Sequence, residues 1–171
     1  ARTIEPYFDD PAYVDALAQS VEQGYAKLDK RPDLLVVSYH GMPIRYLTEG
    51  DPYHCQCQKG TRLLRERLGW DEAEIKTTFQ SVFGPEEWLK PYTVEEVARL
   101  AKAGKKNIAV IAPAFSADCI ETLEEIQEEI QEAFIHAGGE SFTYIPCLND
   151  DDAHIQALVG VAKRNLGGWL K

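Results

Sequence analysis

Short apolar runs alternate along this chain with segments of helical periodicity. The clearest runs cover residues 34–39 and 107–112, and a continuous apolar run of that length is typical of a strand buried on both faces. Two weaker runs, 74–79 and 142–145, complete a set of four predicted strands. Because every gap between them holds a helical pattern, the sequence predicts an α/β fold: a doubly wound, four-stranded parallel sheet flanked by helices.

Capping signals help to set the limits of the predicted helices. Asp10 followed by Pro11 is an N-cap with a favoured first helical residue, and Thr93 with Glu96 has the spacing of a capping box. The predicted helices begin at residue 11, cover 53–68, run from 93 toward 104, run from 118 or 119 to the glycine pair at 138 and 139, and cover 152–166.

Size and charge narrow the functions open to the chain. Its 171 residues, 1–171, suffice for a single domain with a real core, and no linker divides them. The net charge of −10 argues against binding to nucleic acid or anionic lipid. No apolar run approaches the roughly 18 residues that cross a bilayer, the sequence shows no secretory signal, and four scattered cysteines are typical of reduced thiols. We expect a cytoplasmic location, with peripheral membrane contact left open.

In a doubly wound sheet, ligands gather beyond the carboxyl ends of the strands, which here are the loops 40–51, 80–92, 113–118 and 146–151. None of these loops contains a glycine-rich dinucleotide or phosphate motif, so a nucleotide cofactor has no support. His40 ends the first strand, where an imidazole can ligate a metal or move a proton; the alternative is a histidine bonded to nearby backbone. The remaining histidines are predicted surface residues: His54, His136 and His154.

The predicted helix after the third strand is unusually acidic. At i, i+4 spacing, Glu121, Glu125 and Glu129 stack on one face, although like charges at that spacing cost about 0.2–0.5 kcal/mol per pair. Two explanations stay open: a solvated face whose acids favour the helix N-terminus, or a path or site for a cation. Asp118 and Glu121 also have capping-box spacing, which is a structural explanation for that pair.

Five blocks of sequence carry a family resemblance: SYHGMPIRY (38–46), GDPY (50–53), FQSVFGPEEWLKPYT (79–93), APAFSADCIETLEE (112–125) and IPCLND (145–150). In this order they resemble blocks of ferrochelatase, the enzyme that inserts iron into a porphyrin. The likeness is to the carboxyl-terminal half of a family whose fold has two similar α/β domains with the porphyrin cleft between them. It implies that this chain, which begins at Ala1 rather than at a methionine, lacks the amino-terminal domain.

The resemblance also implies roles for particular side chains. His40 and Glu121 match the active-site histidine and the opposing glutamate, and the division of proton acceptance and metal binding between them is left open. The family places its acidic row on a helix with a local bulge. The implied path for protons or metal consists of Asp118, Cys119, Glu125 and Glu129, and the implied porphyrin lip consists of Met42, Pro43, Gln80, Ser81 and Trp88.

Two positions depart from the family pattern. Cys119 stands where some members have a histidine, and its thiol is interpreted either as a ligand for a soft metal or as a packing residue. Val82 stands where a basic residue is common, which removes a possible contact either to a porphyrin propionate or to a loop.

By this resemblance, the expected reaction is the insertion of ferrous iron into protoporphyrin IX, which yields haem. The expected partners are the porphyrin, ferrous iron as substrate, and the absent amino-terminal domain, without which the chain is expected to be inactive. No permanently bound cofactor is expected, because the [2Fe–2S] cluster of some members needs a cysteine-bearing extension that this sequence lacks after Lys171; Cys55 and Cys57 remain a remote alternative as metal ligands. Two other functions stay open: a related chelatase that loads cobalt or nickel into a tetrapyrrole, and a non-catalytic metal-binding or partner module.

Overall fold

The computed structural model describes residues 3–169, so the two chain ends named above, Ala1 and Lys171, lie outside the described residues. Within that range the sheet consists of β1 Leu34–His40, β2 Ile75–Gln80, β3 Asn107–Ile111 and β4 Ser141–Tyr144. All neighbouring strands are parallel, in the order β2-β1-β3-β4. The predicted α/β fold is therefore confirmed, and each strand lies within one residue of its predicted limits.

Helices connect the strands and cover the sheet. Between β3 and β4 the chain forms a π-helix, Glu121–Ile130, that continues directly into α5. The short α2 is absent from the predicted helices because five residues are too few to show a helical period. The α-helices of the described residues are α1 Pro11–Ala26, α2 Ile44–Thr48, α3 Tyr53–Leu68, α4 Thr93–Lys102, α5 Gln131–His136 and α6 Asp152–Asn165.

The sheet has a hydrophobic core on each face, because alternate residues of a strand point in opposite directions. On β1, Leu35 and Val37 belong to the core shared with α1, α3 and α6, whereas Leu34 and Val36 belong to the core shared with α4, the π-helix and α5. Full burial of each such side chain contributes about 1.5–3 kcal/mol. The two cores therefore fix the helices on both faces and leave the carboxyl ends of the strands at one open edge.

One predicted cap forms and another does not. The Asp10 carboxylate accepts a hydrogen bond from the Ala12 N–H at the start of α1, as predicted. The predicted capping box of Thr93 and Glu96 is wrong: the first turn of α4 has no side-chain cap, and Glu96 pairs with Arg99 instead. Thr93 is fully buried against the sheet, so its hydroxyl is turned away from the end of its own helix.

The surface prediction holds for one histidine and fails for another. His136 is exposed and His54 is half-buried, with its ring stacked on that of Phe79. His154 is only 1% exposed, so the prediction for it is wrong. It lies in the first turn of α6, and its Nδ1 donates a hydrogen bond of 2.8 Å to the carbonyl of Asn149, which holds the ring inside.

The end of α5 offers a direct test of the packing. A Cβ added at Gly139 would lie 2.2 Å from the ring of Phe134, which is completely buried and cannot move aside. We expect Gly139→Ala to lower the free energy of unfolding by about 1–3 kcal/mol through overpacking, measured by urea denaturation. The matched control is Gly160→Ala inside α6, where the added methyl meets only the end of Arg164 at 3.4 Å and should be neutral or stabilising by up to about 1 kcal/mol. Equal stability of the two variants would contradict this packing.

Candidate active site

The strand order places one edge of the sheet at a topological switch point. From β1 the chain moves to β2 on one side and later returns to β3 on the other, and ligands of such sheets bind where the order reverses. A cavity of about 400 Å³ opens there. It brings together the predicted pair, His40 and Glu121, with two further members of the acidic row, Glu125 and Glu129; the rest of its lining consists of Ser81, Val82, Phe83, Ile120 and Glu124.

The local backbone decides which nitrogen of His40 is free. The Nδ1 of His40 lies 2.7 Å from the carbonyl oxygen of Gly41, and because a carbonyl only accepts, Nδ1 carries the hydrogen. In the neutral imidazole Nε2 is then the unprotonated nitrogen, available to a proton or a metal ion. The Tyr53 hydroxyl donates a hydrogen bond of 2.9 Å to the His40 carbonyl, which fixes the main chain at the same residue.

A close approach of backbone explains the glycine that follows. The Gly41 N–H donates a 2.7 Å hydrogen bond to the carbonyl oxygen of Gln80 at the end of β2. A Cβ at Gly41 would lie 2.7 Å from that same oxygen and 3.1 Å from the Trp88 ring. Any side chain would therefore push the turn away from β2 and move the imidazole of His40 with it.

The neighbours of Glu121 keep it ionised. The Cys119 thiol hydrogen-bonds to the Glu121 carboxylate, and together with a backbone N–H and nearby His40 it holds the pKa of Glu121 below its usual value. Partial burial, and then the carboxylate itself, raise the pKa of the Cys119 thiol, so this thiol remains protonated. Cys119 therefore acts here as a hydrogen-bond partner of Glu121.

The acidic segment differs from the regular helix that the sequence periodicity predicts, and it agrees with the local bulge that the family resemblance implies. Residues Glu121–Ile130 form a π-helix, a widened helix type that is defined by hydrogen bonds from N–H groups to carbonyls five residues earlier and is often found at functional sites. The expected i, i+4 stack is thus replaced by a looser row along the cavity. The capping-box explanation for Asp118 and Glu121 is also wrong, because the helix begins without a side-chain cap.

Glu125 is tied to the end of β2. Its carboxylate accepts hydrogen bonds from the Ser81 N–H and hydroxyl, both at 2.6 Å, and from the Gln80 amide at 3.1 Å. Ser81 has a φ of 61°, a left-handed conformation that costs a residue with a side chain about 1–2 kcal/mol. The two hydrogen bonds to Glu125 offset that cost, so this member of the predicted path also joins β2 to the π-helix.

Asp118 lies outside the cavity, in contrast to the other carboxylates of the predicted path. Its side chain accepts hydrogen bonds from the Asn149 amide at 2.8 Å, the Tyr144 hydroxyl at 2.6 Å, the Cys147 N–H at 3.2 Å and the Thr122 hydroxyl at 3.2 Å. Burial raises the pKa of Asp118, but donors from Asn149, Tyr144 and Cys147 outweigh it and hold the pKa below its usual value. Asp118 thereby links the loop after β3 to the loop after β4.

Two of the five residues of the predicted porphyrin lip are buried, and the other three are half-buried. Gln80 is 2% exposed and Trp88 is 6% exposed, and Met42 and Pro43 are half-buried where their loop bridges the segment around Trp88. Of the five predicted residues, Ser81 lines the cavity. Trp88 instead supports Phe83, with ring centroids 4.9 Å apart.

The exposed apolar rim of the cavity is formed by residues beside the predicted ones. Phe83 is 71% exposed and Ile120 is 66% exposed, and both line the cavity. Ile120 is not among the site residues predicted from the sequence. An isoleucine between acidic residues, as in the block DCIETL, is the signal that could have identified it. Flat, exposed apolar side chains at the mouth of an acidic cavity suit a ligand with an apolar face.

The cysteine pair on α3 has dissimilar surroundings. Cys55 is exposed, whereas Cys57 is buried, and burial raises the pKa of the Cys57 thiol to about 12. Across residues 3–169, no group of three or more histidine, cysteine or carboxylate side chains is arranged to hold a metal ion. In the same range, no helix combines the length and apolarity needed to cross a bilayer.

Comparison with a solved structure defines the class of fold. SirB from Bacillus subtilis with Fe3+ matches with a TM-score of 0.54 and 16% identity, over 90% of this chain and 56% of that chain. At that identity the likeness shows the fold alone: an α/β fold of the chelatase-like class, as predicted.

The particular family follows from sequence. The sequence model of the ferrochelatase family matches residues 1–166, and the chain belongs to the ferrochelatase family. Ferrochelatase of Rhodobacter capsulatus is 73% identical over 99% of this chain and 48% of its own length, and the ferrochelatases of Allorhizobium ampelinum and Rhizobium meliloti are 57% and 56% identical, covering 49% and 50% of theirs. The predicted family is confirmed, and the chain spans about half the length of these curated relatives.

The hydrogen bonds to the Asp118 carboxylate predict a pH-dependent contribution to stability. Asn149 has a φ of 47°, which glycine tolerates, so Asn149→Gly causes no backbone strain. It removes the hydrogen bond that the Asn149 amide donates to the Asp118 carboxylate and the one that its oxygen accepts from the Asp118 N–H. We expect a loss of about 1–3 kcal/mol in the free energy of unfolding at pH 7. A carboxyl with a lowered folded-state pKa stabilises above its unfolded pKa and loses that stabilisation as the pH falls through the folded value.

The loss caused by Asn149→Gly should therefore shrink at pH 3, because protonation weakens the same interaction in the wild-type protein. Urea denaturation at both pH values measures the difference. An equal loss at pH 7 and pH 3 would mean that the Asn149 amide does not stabilise the ionised form of Asp118.

Proposed function

We propose that this chain forms one wall of a porphyrin-metallating site and that its reaction is the insertion of ferrous iron into protoporphyrin IX. The observation that carries the proposal is the free Nε2 of His40 in the same cavity as the ionised carboxylate of Glu121. Membership of the ferrochelatase family supports the reaction class. The family match also favours this reaction over the loading of cobalt or nickel into another tetrapyrrole.

The chemistry of metallation explains why two different groups are needed. A divalent ion replaces two pyrrole protons, so the ring must lose both protons and the ion must shed part of its water. A neutral imidazole is a competent proton acceptor near neutral pH. A carboxylate with a lowered pKa is a weaker base but remains a good ligand for Fe²⁺. We therefore assign proton acceptance to His40 Nε2 and binding of the incoming ion to Glu121.

Further carboxylates of the cavity suit the approach of a cation. Glu124 and Glu129 are exposed and line the same cavity as Glu121, whereas Glu125 is occupied by Ser81 and Gln80. Neighbouring like charges are costly when unpaired, and a divalent ion passing along the row relieves that repulsion. In this proposal iron is a substrate, and the protein carries no resident cofactor.

The exposed apolar rim can cover one face of a porphyrin, which leaves the other face without a wall. Phe83 and Ile120 present exposed apolar surface beside the carboxylates, and a macrocycle has a broad apolar face that such side chains can cover. A rigid ring held tightly enough to be bent needs walls on both faces. We propose that the second wall belongs to the part of the relatives' length that this chain does not span, and that the 171 residues alone are inactive.

Replacement of His40 tests the proton-accepting role. In the natural-length protein, we expect His40→Ala to reduce the turnover number for metal insertion by at least about 100-fold, because general-base catalysis contributes 10²–10⁴-fold. Porphyrin binding, followed by fluorescence quenching, should change by less than about threefold, since no apolar contact is removed. His136→Ala, at an exposed position on α5, is the control and should retain wild-type turnover. Turnover by His40→Ala at the level of that control would contradict the role.

A second variant separates the two assignments within the pair. Glu121→Gln keeps the size of the side chain but removes the charge that binds the cation, so we expect the KM for Fe²⁺ to rise by about tenfold or more. The KM for porphyrin should stay close to that of the wild type. Steady-state assays with each substrate varied in turn measure both constants, and an unchanged KM for Fe²⁺ would overturn the assignment of Glu121.

A further inference from the structure

A chain of buried hydroxyls lies between β1, β2 and α4, on the side of the sheet that faces the π-helix. Ser38, Thr78 and Thr93 are completely buried, and Gln80 is 2% exposed. Thr93 Oγ1 lies 2.9 Å from both Ser38 Oγ and Thr78 Oγ1. Burial of such polar groups costs free energy unless each one forms a hydrogen bond. Their presence within otherwise apolar strands therefore suggests that the hydrogen bonds they form have a function.

The hydroxyl of Ser38 orients the Gln80 side chain. It donates a hydrogen bond of 2.7 Å to Gln80 Oε1, so the amide nitrogen of Gln80 must point the other way, toward the π-helix. There Nε2 donates to the backbone carbonyl of Glu121 at 2.8 Å and to Glu125 Oε2 at 3.1 Å. Both amide hydrogens therefore have acceptors, and both acceptors belong to the first turn of the acidic segment.

The main chain of Gln80 is hydrogen-bonded to the turn that follows His40, the second residue of the proposed catalytic pair. Its carbonyl oxygen accepts the 2.7 Å hydrogen bond from the Gly41 N–H, and Gln80 is the direct neighbour of His40 in the register of β1 with β2. The adjacent carbonyl, that of Gly41, holds Nδ1 of His40. One residue thus contacts the turn that orients the imidazole and the turn that carries Glu121.

We propose that Gln80 is a positioning residue that fixes the Glu121 carboxylate relative to the Nε2 of His40. It acts through the carbonyl of Glu121 and the carboxylate of Glu125, and Ser38 holds its amide in the required orientation. The consequence for catalysis rests on the metal-insertion activity proposed above; the structural link between β2 and the π-helix does not. Because Gln80 is buried, it influences the reaction without touching the porphyrin.

Gln80→Met is the most direct variant. Methionine keeps the length and burial of the side chain but offers no donor to Glu121 or Glu125, and a flexible thioether fills such a space readily. Ser38→Ala is a second variant that leaves Gln80 in place and removes only the group that orients its amide.

Thr77→Val provides the matched control. Thr77 is another buried residue of β2, but its hydroxyl bonds to Thr61 on α3, at 3.0 Å, away from the π-helix. The replacement has nearly the same shape and also removes a buried hydrogen bond. It should therefore lower stability, although by less than Gln80→Met, which removes three side-chain hydrogen bonds, and it should leave the first turn of the acidic segment untouched.

Two measurements on the natural-length protein test the proposal. Hydrogen exchange of the amides of residues 121–126 should become at least about tenfold faster in Gln80→Met, because the loss of these hydrogen bonds loosens the turn locally, and should change less than about twofold in Thr77→Val. The turnover number for metal insertion should fall by about 10- to 100-fold in Gln80→Met, the range expected from a misplacement near 1 Å. The KM for porphyrin should stay within about threefold of the wild-type value. Ser38→Ala should show the same pattern with smaller changes.

Two results would overturn the proposal. One is an unchanged rate of hydrogen exchange at residues 121–126 in both Gln80→Met and Ser38→Ala, and the other is faster exchange in these variants with a wild-type turnover number. If Gln80→Met does not fold, Ser38→Ala decides by the same two measurements. If the wild-type protein metallates no porphyrin, the proposed function fails, and the exchange measurement still decides whether Gln80 holds the turn.

Discussion

The central position of β1, paired in parallel with β2 on one side and β3 on the other, is the constraint on which the candidate site depends. Parallel strands end at the same edge of a sheet, so the last residue of β1 meets both the end of β2 and the segment that leaves β3. His40 occupies that position, and the π-helix follows the loop after β3. The imidazole and the carboxylate of Glu121, 81 positions apart in sequence, therefore line one cavity.

Five of the carboxylates between residues 118 and 129 divide into two groups by their hydrogen bonds. Asp118 and Glu125 are each held by three or more donors from neighbouring segments, and they fasten the start of the acidic segment to the loop after β4 and to the end of β2. Glu121, Glu124 and Glu129 line the cavity, where their carboxylates can face a ligand. A row that looks uniform in sequence thus combines anchors with candidate cation ligands, and the anchors explain how a widened helix stays in place beside repelling charges.

The four strands of the sheet could be predicted from the sequence because the period and the length of apolar runs indicate buried strands directly, as the run at residues 34–39 does for β1. Periodicity alone could not distinguish a π-helix from an α-helix, since both bury the same face, here with Ile126 and Ile130. The family resemblance, by contrast, did imply a bulge in this helix. Capping-box spacing was misleading at Thr93, because a buried contact with Ser38 and Thr78 competes for the hydroxyl. His154 looked like a surface residue, since nothing local shows that the loop carbonyl of Asn149 will hold its ring. The pairing of His40 with Glu121 was predictable only from the family resemblance. The hydrogen bond of Ser38 to Gln80 was not predictable, because no local pattern links two residues that lie 42 positions apart.

The proposed site is tested most directly by a crystal structure of the natural-length protein with a bound porphyrin. We expect the ring centre to lie between the Nε2 of His40 and the carboxylate of Glu121, with Phe83 and Ile120 against the macrocycle and Gln80 still bonded to the π-helix. A porphyrin seated elsewhere, with His40 and Glu121 both remote from the pyrrole nitrogens, would contradict the proposed site.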